Sequence, residues 1–141
     1  MSHYLKPLPK IDERNRAHWD GARQGRLMMQ ACGHCAALRY PFSGMCPKCQ
    51  STESSWKEVS GKGQVWSWCV FHRVYFKGFE GEMPYNVVLV KLDEGPRIYS
   101  NIIGVDRDKL QDKLRIGMRV RAVFDQATDE VTLVKFEEDK A

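Results

Sequence analysis

In the C-terminal half of the chain, apolar and polar positions alternate in short runs. Gly, Pro, Asp and Asn punctuate them, which is the pattern of half-buried β-strands. The pattern predicts strands over 64–74, 85–92, 97–103, 118–124 and 130–136. Three turn-rich stretches lie between them: 75–84 with Gly78 and Gly81, then Asp93-Glu94-Gly95-Pro96, then Ala127-Thr128-Asp129. Between the third and fourth strands, 106–114 fits a short helix. Asp106 can cap it, Leu110 and Leu114 share a face, and Gly117 stops it. Five strands with a helix after the third is the order of an OB-fold, a small, partly open Greek-key barrel.

Upstream the text differs. Residues 1–25 read as a polar arm whose start is kept extended by Pro7 and Pro9. A helix over 12–24 is expected, capped by Asp12 and ended by Gly25. Its apolar stripe, Ala17, Trp19 and Ala22, is thin, so it needs an outside surface: the next segment, the barrel or a second chain. Residues 26–61 hold two short strand candidates, Leu27-Met28-Met29 and 56–59, before Gly61 and Gly63 mark a boundary. The reading is mainly β: a helical arm over 1–25, a rubredoxin-like zinc ribbon over 26–61, and a five-stranded OB-fold barrel over 62–141.

The ribbon assignment rests on cysteine spacing. Cys32-Gly33-His34-Cys35 and Cys46-Pro47-Lys48-Cys49 are two C-x-x-C knuckles. Each can place two thiolates on one metal, and the intervening residues can loop back to close a tetrahedron. All four ligands are sulfur with no position left for water, so the ion is expected to be structural. Iron also accepts four thiolates; zinc is the expected ion. The competing reading, two redox dithiols, does not account for the paired repetition. Such a ribbon is too small for its own core, so metal binding must supply much of its folding free energy. Tyr40, Phe42 and Trp56 are expected to pack around it. Cys69 stands apart, and its spacing from His72 puts the two on opposite strand faces, which argues against a catalytic dyad.

Charge narrows the function. The 141 residues hold 22 Lys and Arg against 18 Asp and Glu, a net +4. The excess lies in the arm and ribbon; residues 63–141 carry twelve basic and thirteen acidic side chains, a net −1. A nucleic-acid groove normally shows as a local basic excess. A single-stranded nucleic-acid-binding ribbon/OB module is therefore the alternative, not the leading reading. The barrel's aromatics on strand patterns, Trp66, Trp68, Phe71, Phe124 and Phe136, read mostly as core. No apolar run reaches the ~20 residues of a bilayer span, and residues 1–16 lack the apolar centre of a signal peptide. A cytoplasmic location is expected. The 72–85 segment offers His72, Arg73, Phe76, Lys77 and Phe79 around glycines, which reads equally as a loop for a ligand or partner and as a long hairpin loop with solvated charges.

Several stretches together resemble a known family: Gly25-Arg26-Leu27, Gln30-Ala31-Cys32, Arg39-Tyr40-Pro41, Cys46-Pro47-Lys48-Cys49, and Gly61-Lys62-Gly63-Gln64-Val65. Phe71-His72-Arg73, Pro84-Tyr85, Leu92-Asp93-Glu94-Gly95-Pro96-Arg97 and Ile116-Gly117-Met118-Arg119-Val120 follow in order. The chain resembles the zinc-ribbon/OB-fold proteins of acyl-CoA metabolism long catalogued as domain of unknown function 35. The resemblance implies a non-catalytic accessory subunit of a thiolase-fold acyl-CoA enzyme: a thiolase, an aldolase or a synthase. In some members of the family the chain resembles, the OB domain helps contact coenzyme A. The resemblance does not fix those contacts; His72, Arg73 and Lys77 are chosen from the charge of the loop.

Overall fold

In a computed structural model, residues 4–140 are described; the first three residues of the arm and the last of the tail lie outside them. The arm folds into one helix, α1 (Arg16–Arg23). It starts later than expected. Asp12 spends its carboxylate on a preceding turn, accepting from the N–H groups of Arg14 and Asn15 at 2.9 and 3.2 Å. Gly25 ends the helix as expected, at φ +72°. Its N–H donates to Ala22 O at 3.0 Å and that of Arg26 to Gly21 O at 2.9 Å, the paired bonds of a Schellman cap.

The face α1 buries is His18, Gly21 and Ala22; Trp19 is half-buried beside it. The expected stripe thus missed a histidine, whose ring hides because Nδ1 lies 3.0 Å from Met28 O. Gly21 permits the close approach, since a Cβ there would collide with Met28 Cγ. Of the three surfaces left open for the helix, two are used at once. It packs on the first ribbon strand and on the last two barrel strands.

The ribbon is a three-stranded antiparallel sheet of β1 (Leu27–Cys32), β2 (Leu38–Arg39) and β3 (Ser54–Val59), ordered β2-β1-β3. β2 is too short to leave a periodicity in sequence. Leu27, Met29 and Val59 belong to the same buried cluster as the barrel's Val65, Val88, Val90, Leu92 and Phe136. The ribbon therefore shares the barrel's core and does not depend on metal alone.

The barrel contains β4 (Lys62–Phe71), β5 (Tyr85–Leu92), β6 (Arg97–Ser100), β7 (Arg119–Gln126) and β8 (Thr132–Glu138), paired in the order β6-β5-β4-β7-β8. The sheet curls until its edges meet through a parallel bridge between Ile102 and Phe136. Between β6 and β7 a 3-10 turn (Arg107–Lys109) runs into the short helix α2 (Leu110–Lys113), with Leu110 and Leu114 buried. This is the expected OB order. The third strand ends earlier than predicted, because Asn101 turns out of the ladder and its side-chain amide donates to Asn86 O. The charged residues after Phe136 extend the pairing: Glu137 and Glu138 lie in β8, and Asp139 N donates to Arg119 O at 2.9 Å.

One irregularity decides which aromatics are core. Val65 pairs with Val90 and Ser67 with Leu89, so Trp66 is the extra residue of a β-bulge. The bulge shifts the phase of β4: Val65 stays inside, Trp66 is thrown outward at 44% exposure, and Trp68 turns in to pack against the core. Trp66 is thus the exception among the five aromatics read as mostly core. Phe136 is fully buried, as expected, with Trp68, Phe71 and Phe124 half-buried.

Close strand approach yields a test. A Cβ on Gly63 would meet Lys91 O, with Val90 Cγ1 at 3.0 Å and Leu92 Cα at 3.1 Å, mostly backbone that cannot yield cheaply. Gly81 has nothing within 4 Å. Gly63→Ala is expected to cost about 2–3 kcal/mol in chemical denaturation, and Gly81→Ala no more than about 0.5 kcal/mol.

Candidate metal centre and barrel mouth

The end of β1 and the two knuckles bring Cys32, Cys35, Cys46 and Cys49 together, with all four Sγ atoms within 4.8 Å of one another. Cys32 and Cys49 are 3.5 Å apart and Cys35 and Cys46 3.6 Å. A zinc ion with ~2.3 Å bonds holds its tetrahedral sulfurs about 3.8 Å apart, so the set fits such an ion. The knuckles prepare the thiols for it. The N–H groups of Cys35 and His34 point at the Cys32 sulfur from 3.4 and 3.3 Å and pull its thiol down to about 6. Those of Cys49 and Lys48 lower Cys46 in the same way. Cys49 goes the other way: the Ser51 N–H draws it down, but desolvation and the other three sulfurs outweigh this and hold it up to about 12. Four clustered sulfurs cannot all ionise unless a cation joins them.

Side chains behind the knuckles hold their loop in place. Gln30 makes a reciprocal pair with Ser43: its Nε2 donates to Ser43 O at 2.9 Å and its Oε1 accepts from Ser43 N at 2.9 Å. Buried Arg39, directly across the strands from Gln30, donates Nη2 to the same carbonyl at 2.9 Å. The expected aromatics do pack here: Phe42 lies edge-on to Tyr40 at 5.2 Å and to Trp56 at 4.8 Å. His18 joins them 5.0 Å from Phe42, which ties α1 to the ribbon.

The second region is the connection from β4 to β5, at one mouth of the barrel. It folds through a 3-10 turn (Lys77–Glu82) rather than lying as an open loop. Phe79 stacks on Tyr85 at 4.4 Å and Tyr85 on Phe71 at 5.0 Å. The arm crosses this stack, with Lys6 paired to Glu82 at 2.9 Å and lying 5.4 Å from the Phe79 ring. What remains outside is apolar: Tyr75 is 60% exposed, Phe76 54% and Leu5 76%. His72, Arg73 and Lys77 are all exposed there, with Arg73 over the Tyr75 ring at 5.5 Å. Cys69 is exposed too, and no hydrogen bond joins it to His72 among the described residues.

With this geometry in view, likeness to known proteins is specific. The family model for "ChsH2, rubredoxin-like zinc ribbon domain" matches residues 19–54 and that for "ChsH2, C-terminal OB-fold domain" matches 56–125. The chain belongs to the ChsH2 family of DUF35 zinc-ribbon/OB-fold proteins. Among solved structures, a chain of an "Ltp2-ChsH2(DUF35) aldolase" is similar with a TM-score of 0.81 and 38% identity, over 93% of this chain and 98% of that one. A "probable enoyl-CoA hydratase alpha subunit" of Thermomonospora curvata is 39% identical over 94% of this chain and 40% of its own length. A "DUF35 domain-containing scaffold protein" of Methanocaldococcus jannaschii is 38% identical over 66% of this chain and 63% of its own. The chain thus spans less than two thirds of the length of either curated relative. No helix among the described residues is long and apolar enough to cross a membrane.

Two of the family-like stretches meet in space. Arg119 donates both Nη atoms to Asp93, at 2.9 and 2.8 Å, and holds its carboxyl below the usual range. Next to it, Glu94 Oε2 accepts from Ser60 N at 2.8 Å. The turn before β6 therefore clasps the link between ribbon and barrel. Sequence reasoning named both segments but had no signal that they touch.

His18 gives a pH test in this ChsH2-family chain. Burial pushes its imidazole below the ordinary 6.5, offset in part by the bond to Met28 O. The fold thus favours the neutral ring, so the native state binds fewer protons than the unfolded chain in the window below 6.5. Stability is then full above that value and falls as pH drops through the window. Denaturation between pH 7 and 5 is expected to show a stability loss with a shallower slope in His18→Gln.

Proposed function

We propose that this chain is a zinc-stabilised, non-catalytic subunit that joins a thiolase-fold acyl-CoA enzyme. The observation that carries this is the end-to-end likeness to the DUF35 chain of the Ltp2-ChsH2 aldolase, at 38% identity. In this reading Cys32, Cys35, Cys46 and Cys49 hold one structural zinc ion. The ion neutralises the thiolates and fixes both knuckles to the end of β1; it takes no part in chemistry. The scaffold naming of the archaeal relative supports a role in assembly.

The exposed aromatics of the mouth, Tyr75 and Phe76 with Leu5, suit a protein contact, since aromatic anchors dominate interface energetics. His72, Arg73 and Lys77 stand beside them, and the two cations can donate charge-assisted hydrogen bonds to the phosphates of coenzyme A. The acyl group is then worked on by the partner's own residues, while this chain contributes binding and position. The division into an arm over 1–25, a ribbon over 26–61 and a barrel over 62–141 follows these roles.

Two measurements test the reading. Elemental analysis is expected to give about one zinc per chain, and Cys46→Ser to remove the metal and lower the thermal midpoint by several degrees or more. For the complex, Arg73→Ala with Lys77→Ala is expected to raise the KM for acyl-CoA about tenfold while kcat changes little, as loss of uniform binding does. Turnover of acyl-CoA by the isolated chain, or failure to co-purify with a thiolase-fold enzyme encoded beside it, overturns the proposal.

A further inference from the structure

The near-zero net charge of the barrel, −1 over residues 63–141 before Lys62 is added, conceals a separation of charge. β4, β5 and β6 contain Lys62, Lys91 and Arg97 and no aspartate or glutamate. Outside these strands and the mouth loop that carries Arg73, the arginines are neutralised in place. Arg107 meets Glu82 at 3.5 Å, Arg115 meets Glu138 at 3.2 Å, Arg119 meets Asp93 at 2.8 Å and Arg121 meets Glu137 at 2.6 Å. Lys91 and Arg97 meet no carboxylate among the described residues, although they face each other directly across the β5–β6 ladder. Like charges in that position repel.

What holds them is Trp66, the residue the bulge turns outward. Its ring has Lys91 Nζ 5.0 Å and Arg97 Cζ 5.3 Å from its centroid. The ring quadrupole attracts both cations, but more weakly than a carboxylate would. The next cross-strand pair on the same outward face is Leu89 with Tyr99, and Tyr99 is 70% exposed. A strip of aromatic, aliphatic and cationic groups therefore runs over three strands of the barrel, away from the mouth loop.

We propose that this face docks an acidic segment of a polypeptide. Carboxylates of the segment take Lys91 and Arg97, and the indole is freed to pack, with Leu89 and Tyr99, on the segment's apolar side chains. Trp, Tyr and Arg in such a cluster are the residues that anchor protein interfaces. A sheet surface gives a wide contact with little enclosure, as a polypeptide requires and a small ligand does not. Nucleic acid fits less well. It needs a train of cations to neutralise successive phosphates, and this strip offers two with a third, Lys62, on β4. The inference goes beyond the proposed enzyme association and holds whichever enzyme the chain assists.

The test uses the full-length, zinc-loaded protein and NMR titration at about 0.15 M salt. The probe is a short synthetic peptide of glutamate and leucine, with a glutamine-for-glutamate twin as control. The Trp66 indole N–H and the amides of Lys91, Arg97 and Tyr99 are expected to shift with the acidic peptide and not with the twin. Lys91→Glu with Arg97→Glu is expected to weaken binding at least about tenfold, and Trp66→Ala by several-fold, while Arg121→Ala on β7 leaves it unchanged. Heteronuclear spectra of each variant establish that it is folded. Shifts confined to other surfaces, equal binding by the charge-reversed variant, or no binding at all overturn the proposal. So does an oligothymidylate strand that binds this same face more tightly than the peptide, which makes it a nucleic-acid surface instead.

Discussion

Four sulfurs within 4.8 Å of one another are the constraint on which the N-terminal half turns. Charged, they repel; neutral, they leave a polar loop with little apolar surface to hold it. A cation resolves this, and the knuckle N–H groups already lower two of the thiols toward ionisation. β1 transmits the consequence. One end of this strand carries Leu27 and Met29 into the barrel core, and the other ends on Cys32. The site and the core are thereby joined by one short, stiff element.

The same economy appears at the other junctions. α1 has too little apolar surface for independence, yet His18, Gly21 and Ala22 fit against β1 while the helix also meets β7 and β8. The Glu94–Ser60 bond fastens the ribbon–barrel link from the opposite side, next to the Asp93–Arg119 pair of the barrel itself. Exposed ion pairs add little stability each, but the bidentate geometry of Arg119 on Asp93 fixes the turn that carries Glu94.

The barrel surface is where function is most exposed to revision by structure. Summed over residues, charge argues against any anionic partner. Distributed over the sheet, it leaves an acid-free face of three strands beside a face whose cations are already paired. An OB barrel closes by curling one sheet, so neighbouring strands in the ladder share an outer surface even when they are distant in sequence. Net charge over a domain cannot report such segregation.

The sequence alone determined the classes of element and the metal chemistry. Alternation and turn residues marked five strands in OB order, and the two knuckles named Cys32, Cys35, Cys46 and Cys49. These are legible because period-2 burial and C-x-x-C spacing are local properties. The packing of Tyr40 and Trp56 about Phe42 was legible too, from the aromatics between and just after the knuckles. Tertiary structure decided the rest. It buried His18, which reads as polar, by giving it the Met28 carbonyl. It shortened α1, because Asp12 found a nearer use in a turn. It sent Trp66 out and Trp68 in through a bulge that no alternation pattern reveals, since the extra residue is defined only against its partner strand. And it set Lys91 beside Arg97 and Trp66, a juxtaposition made by strand register, which is fixed when the strands pair and not before.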